Sequence, residues 1–131
     1  MKISFDLDGT IYDHQEFFQE LFKVFQEFGH TMGILTGHAS TSEEADLRKL
    51  EAIQIYPDFY FGRTLDYIPL NGAHFKSMII KREGIDIHFD DYDYDNTDTI
   101  RIFKELGEQK IFRVKSLTKL PKSATLKQDD K

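Results

Sequence analysis

The chain of 131 residues contains no cysteine. That excludes disulfides, zinc–thiolate sites and thiol nucleophiles, and it accords with a reducing compartment. There is no excess of basic charge either. Twenty-three acidic residues against 17 Lys and Arg give a formal net charge of −6 and a pI near 5.3, so a nucleic-acid backbone is not the default partner. No apolar run approaches the roughly 18 residues a membrane-spanning helix needs. Met1-Lys2 leads directly into a short apolar stretch and then into acids, with no leader pattern. A cytoplasmic protein without a membrane partner is expected. Neither Gly-x-x-x-x-Gly-Lys-Ser/Thr nor Gly-x-Ser-x-Gly occurs, so a P-loop kinase and a serine-elbow hydrolase are disfavoured. Internal repeats and low-complexity tracts are lacking too.

What is there describes one globular domain, with 40% hydrophobic and 31% charged residues. Residues 2–5 read as a short buried strand. Residues 14–28 read as a helix, because Phe18, Leu21, Phe22, Phe25 and Phe28 recur at three- and four-residue spacing and Gly29 stops it. A second strand is expected at 31–35, closing in Thr36-Gly37. A helix follows to about residue 53, capped by Thr41 or Ser42, with Glu43 and Glu44 suiting its dipole. A third strand is expected near 59–61, a helix over 73–83, a strand over 85–89, a helix over 97–106 and a strand over 110–114. Residues 116–131 are polar and lysine-rich and read as a tail beyond a domain of residues 1–115. Strands alternating with helices predict an α/β fold: three layers, Rossmann-like, around a parallel sheet of about five strands. In such folds chemistry gathers at the carboxyl ends of strands, where strand order reverses. Three of the expected strands end in polar residues: Asp6 with Asp8, Thr36, and Asp90 with Asp91.

Phe5-Asp6-Leu7-Asp8-Gly9-Thr10 is the strongest signal. Two carboxylates spaced i, i+2 at a strand end repel each other unless a cation intervenes, and a hard oxygen-ligated ion such as Mg²⁺ suits them. Gly9 permits the turn that exposes them. An isolated Asp-x-Asp is more often a turn or a helix cap, but the apolar strand before it and Gly-Thr after it argue against that here. Asp91-Tyr92-Asp93-Tyr94-Asp95 invites a calcium-loop reading, which fails because Asn96 and Ile102 stand where an EF-hand needs Gly and Glu. A receiver domain fits poorly, since its acid pair comes first and its acceptor Asp later.

The Asp-x-Asp-Gly-Thr segment resembles the first motif of the haloacid dehalogenase-like hydrolase superfamily. The resemblance implies that Asp6 is a nucleophile and Asp8 a general acid/base, and the second Asp looks like the phosphatase branch. Thr36 matches the family's strand-end Thr or Ser, which binds phosphoryl oxygens. Lys76, fourteen residues before Asp90, matches the motif lysine, with Lys81 as competitor. Asp90-Asp91 matches the acidic pair. Many members carry Gly-Asp there and a further acid later, where Asp95 stands, so the direct metal ligand stays open between Asp90 and Asp91. The resemblance covers residues 2 to about 114. It implies Mg²⁺ held by Asp6, the backbone carbonyl of Asp8, and Asp90 or Asp91. Substrate contacts would come from Thr36, Gly37, Lys76 and His38, although a surface-loop histidine is the plainer reading of His38.

Related phosphatases often insert a cap domain, and this chain leaves no room for one. About twenty residues join Thr10 to the second strand and about forty join Thr36 to Lys76, and the elements already named use them up. The expectation is a capless phosphomonoesterase with an open site. Its substrate would be a small phosphate ester, a nucleotide or a macromolecular phosphate, with nucleic acid entering only as a phosphate-bearing substrate. Residues 54–70 could serve as a partial lid, and a neighbouring subunit could cover the open site. A non-catalytic phosphate- or metal-binding module on the same scaffold is the reading from a different class.

Overall fold

The apolar stretch that opens the chain becomes the centre of the sheet. The computed structural model describes residues 1–65, 72–91, 97–106, 110–115 and 117. β1 (Lys2–Phe5) pairs in parallel with β2 (Thr31–Ala39) on one side. β3 (Phe59–Arg63) adds to the outer edge of β2. On the other side β1 pairs with β4 (Ile87–Asp90), which in turn carries β5 (Ile111–Arg113). The order is β3-β2-β1-β4-β5, with every pairing parallel. The chain builds outward from β1 in one direction, then returns to build outward in the other. The carboxyl ends of β1 and β4 therefore flank the switch point, where such a sheet leaves a crevice.

Helices cover both faces, as a fully parallel sheet requires. On one face α1 (Gln15–Glu27) and α2 (Glu43–Ala52) contribute Phe18, Phe22 and Leu50 to a core with Ile3, Phe5, Met32 and Ile34. Phe5 meets Phe18 edge-on at 5.4 Å and Phe22 at 4.8 Å between ring centroids, distances at which aromatic pairs add to simple burial. On the other face α3 (Gly72–Glu83) and α4 (Thr97–Leu106) pack Phe75, Ile79, Ile80, Ile102 and Phe103 around Leu35, Ile85 and Ile111. The architecture is α/β with an all-parallel five-stranded sheet flanked by helices, compatible with a Rossmann-like fold.

Several boundaries differ from the sequence expectation, each for a local reason. β2 does not close at Thr36-Gly37 but continues to Ala39. A register shift lets it rejoin β3 through Ala39 and Arg63. Gly62 makes that possible, since a Cβ there would lie 3.2 Å from the His38 carbonyl and 3.1 Å from the Ser40 Cα. Within the segment considered as a lid, Phe59–Arg63 is an edge strand of the sheet, while residues 66–70 lie outside the described part. β4 starts two residues later than expected because Asp86 turns back to Lys2. Its N–H donates to the Lys2 carbonyl and its carboxylate accepts from the Lys2 N–H, both at 2.8 Å. Neither Thr41 nor Ser42 caps α2 through its side chain; Ser40–Ser42 form a short 3₁₀ turn instead. β5 is shorter than expected, yet Val114 N–H extends its ladder to the Asp90 carbonyl at 2.8 Å. Of the tail only Leu117 is described, with its N–H bonded to the Asp13 carboxylate. Asp93, Asp95 and Asn96, and with them most of the rejected calcium loop, lie outside the described residues. Among the described residues no helix is long and apolar enough to cross a membrane.

Candidate active site

Asp6 is the first residue beyond β1, and its N–H still pairs with the Phe89 carbonyl at 2.9 Å, so the sheet fixes its backbone. The chain then turns over Leu7–Ile11, closed by Tyr12 N–H to the Leu7 carbonyl at 3.0 Å. Gly9 has φ +78°, a conformation costly for side-chain-bearing residues. A second reason for glycine lies across the crevice. A Cβ on Gly9 would stand 1.9 Å from the Asp91 Oδ2, so only a glycine lets Asp91 approach the turn.

The lysine that reaches the site is Lys76; Lys81, one turn further along α3, is exposed. Lys76 Nζ donates to Asp6 Oδ1 at 3.0 Å and to Asp90 Oδ2 at 2.7 Å. Burial alone would lower its pKa, but the two carboxylates overcome that and hold it above its ordinary value. Asp90 is gripped a second time, by His88 Nε2 at 2.8 Å, and His88 Nδ1 in turn lies 2.7 Å from the Ser4 hydroxyl. Burial pushes the His88 pKa down. The neutral ring then donates from Nε2 to Asp90 and accepts from Ser4 at Nδ1, a tautomer assigned from its partners. A buried polar line, Ser4–His88–Asp90–Lys76–Asp6, thus runs from inside the sheet to the crevice.

Lys76 is shared between two acids, and they fare differently. Burial works to raise the Asp90 pKa, but Lys76 and His88 outweigh it and keep the group ionised well below the usual range. For Asp6 burial wins, and with Asp90 and Asp91 adding to it the carboxyl is pushed up to about 8 despite Lys76. Asp6, Asp90 and Asp91 each offer an oxygen, all within 4.8 Å of one another. At that spacing two ionised carboxylates repel by about 3 kcal/mol at an effective dielectric of about 20, and one lysine cannot neutralise three. The donors are all hard oxygens, and the cradle at Gly9 admits Asp91 to the cluster. Donor chemistry and shape therefore fit a hard divalent ion such as Mg²⁺. Both Asp90 and Asp91 belong to the cluster, so the geometry leaves both as candidate ligands.

Asp8 goes elsewhere. Its carboxylate is half exposed and accepts from His38 Nε2 at 2.6 Å. Thr36 is buried in β2, and its hydroxyl accepts the His38 N–H at 3.1 Å. Gly37 lies between them in the strand, with nothing within 4 Å of where a Cβ would be. His38 is thus a strand residue rather than a surface-loop histidine, and its second ring nitrogen is 3.1 Å from Asp46 Oδ2. Thr10, the last residue of the motif, is fully buried, and its hydroxyl has no hydrogen-bond partner among the described residues.

Compared with known families, with curated proteins and with solved structures, the chain has no significant match. Two groups of residues at the site escaped the sequence reading. His88 and Ser4 could have been found from strand alternation, since His88 lies two residues before Asp90 and so shares its face. Asp46 carried a fainter signal: it stands one helical turn before Leu50, on the line that α2 buries.

Proposed function

We propose that this chain is a Mg²⁺-dependent phosphomonoesterase, a capless haloacid dehalogenase-like enzyme that works through an aspartyl-phosphate on Asp6. The observation that carries the reading is the convergence at Lys76: Asp6 at 3.0 Å and Asp90 at 2.7 Å, with Asp91 completing a three-carboxylate cluster at the switch point of the sheet. These residues arise from three separate segments, and their arrangement suits one task, holding a phosphoryl group against a carboxylate nucleophile.

Asp6 Oδ attacks phosphorus in line, forming a P–O bond as the bond to the leaving alcohol oxygen breaks. Lys76 holds Asp6 in place and offers positive charge to the equatorial oxygens, with Thr36 as a further phosphoryl-binding group. Asp8 protonates the departing alcohol, then takes a proton from the water that hydrolyses the acyl phosphate and frees Asp6. Asp6, the Asp8 carbonyl, Asp90 and Asp91 would hold Mg²⁺, which supplies charge neutralisation and a template for the phosphate. His88 and Ser4 fix Asp90 from below.

The test is Mg²⁺-dependent release of phosphate from an aryl phosphate and from a panel of nucleotides, sugar phosphates, polynucleotide ends and phosphopeptides. Asp6→Asn is expected to lower kcat by at least about 10³-fold, since the amide cannot form the intermediate. Hydrolysis that survives Asp6→Asn rejects the nucleophile. Silence across the whole panel, with Mg²⁺ still bound, favours a phosphate- or metal-binding module.

A further inference from the structure

α2 exposes its charged residues with one exception. Asp46 is only 3% exposed, on the buried line of the helix. Taking a carboxylate out of water costs several kcal/mol unless hydrogen bonds replace the water. Three side chains from three other segments do so. Tyr60 Oη of β3 donates to Asp46 Oδ2 at 2.5 Å, Tyr12 Oη from the turn after β1 makes a longer contact with Oδ1 at 3.4 Å, and His38 of β2 approaches through Nδ1 at 3.1 Å. Burial and the nearby Asp46 raise both phenol pKa values, so the tyrosines stay protonated donors.

This arrangement does not end in the core. The other nitrogen of His38 bonds to the half-exposed Asp8 at 2.6 Å. Carboxylates only accept, so an imidazole lying between two of them donates from both nitrogens. No polar atom of the ring is then left for a substrate. An apolar residue at position 46 would pack the same space without the desolvation cost, so a purely structural role explains the clamp poorly. Its outer end is the carboxylate to which the phosphatase reading gives proton transfer.

We infer that His38 is a positioning residue for Asp8: anchored on the buried Asp46, it holds the Asp8 carboxylate through Oδ2 and so fixes its orientation for proton transfer. The inference rests on the phosphatase reading and deepens it. It also takes His38 out of the substrate-binding set. Burial opposes protonation of His38, yet its bonds to Asp8 and Asp46 raise its pKa, in keeping with a doubly donating ring.

A positioning role has a kinetic signature that a general loss of structure does not. Protonation of the leaving oxygen matters for an alkyl phosphate and hardly at all for 4-nitrophenyl phosphate, whose leaving group departs as the anion. The parameter to read is kcat/KM, which reports attack by Asp6 and not the later hydrolysis. His38→Gln is expected to lower kcat/KM by about 100-fold for an alkyl phosphate and by less than about threefold for the aryl ester. Asp46→Asn should show the same asymmetry with a loss of about tenfold. In an Asp8→Asn background the His38→Gln change should cost nothing more, because the group it positions is gone. Equal losses on both esters, or full additivity with Asp8→Asn, would overturn the inference. Far-UV circular dichroism of each variant checks folding, and Tyr60→Phe serves as a milder perturbation expected to give a smaller loss with the same asymmetry. Should the wild type hydrolyse neither these esters nor any member of the panel, the phosphatase reading falls and the positioning role with it. Nitrogen-15 NMR of the His38 ring still decides on the clamp: Asp8→Asn should shift Nε2 and Asp46→Asn should shift Nδ1, and no response in either overturns it.

Discussion

Asp6 is expected to destabilise the metal-free protein at neutral pH, and Asp6→Asn should therefore make it more stable. The residue is 6% exposed, and its carboxyl shares its lysine with Asp90 and faces Asp91 as well. Its pKa is raised from 3.8 to about 8, burial being the largest cause. For an acid raised in this way, the folded state binds the proton more tightly than the unfolded state. Stability is fully present below about pH 4 and is lost as pH rises toward 8, at about 1.4 kcal/mol per pH unit. The whole span corresponds to a ceiling of about 6 kcal/mol, and relaxation with water entry leaves about 2–4 kcal/mol as the expected gain. Asn keeps an oxygen for Lys76 and removes the charge. Urea unfolding of both proteins in EDTA from pH 4.5 to 8.5 measures the difference, which should be small at the acid end and grow with pH. The slopes contributed by Asp90 and His88 are common to both proteins and cancel in first order. Mg²⁺ should narrow the gap by stabilising the wild type through binding. A variant that is less stable than the wild type at pH 8, or a difference that does not change with pH, would refute the electrostatic account of the site.

Gly9→Ala should be costly twice over, through φ +78° and through the contact with Asp91. A loss of about 1–3 kcal/mol is expected, together with weaker Mg²⁺ binding in calorimetry, and unchanged binding would show that Asp91 does not need the cradle. His88→Ala removes the partner of both Ser4 and Asp90 inside the sheet. It should cost about 2–4 kcal/mol in chemical denaturation, and a loss under about 1 kcal/mol would mean that the buried polar line is not coupled to the fold. Phe22→Ala opens the core under Phe5, with an expected cost of about 3–5 kcal/mol and no effect on Mg²⁺ affinity beyond that of global stability.

The two kinds of polar residue at the site differ in purpose. Asp6, Asp90 and Asp91 crowd acidic groups into one place, a donor set that would suit a cation, and in the metal-free fold the strain falls on Asp6. His88, Ser4 and Asp46 carry no such conflict, because each is satisfied by hydrogen bonds. They set the orientation of the charged groups above them. Removing Asp6, whose pKa is raised, should raise stability, while removing Asp90, which Lys76 and His88 hold, or a member of the second set should lower it.

Local pattern alone determined a good deal of this protein. The three- and four-residue spacing of Phe18, Leu21, Phe22 and Phe25 specifies α1, and strands alternating with helices specify the parallel sheet, because both signals are written within a few neighbouring residues. The placement of Asp6, Asp90 and Asp91 at strand ends was legible for the same reason, while Lys76 was singled out from Lys81 by the resemblance to the family's motif lysine. Only the tertiary structure decided that Lys76 rather than Lys81 reaches both acids, that Gly9 makes room for Asp91, and that β2 runs on to carry His38 upward in the sheet. It alone joined His38 and Tyr60 to Asp46, and the polarity of His38 and Asp46 by itself says surface. The physical reason is that a buried carboxylate is acceptable only when donors from other segments meet it, and which donors arrive depends on strand order and helix packing, which no single stretch of the chain encodes.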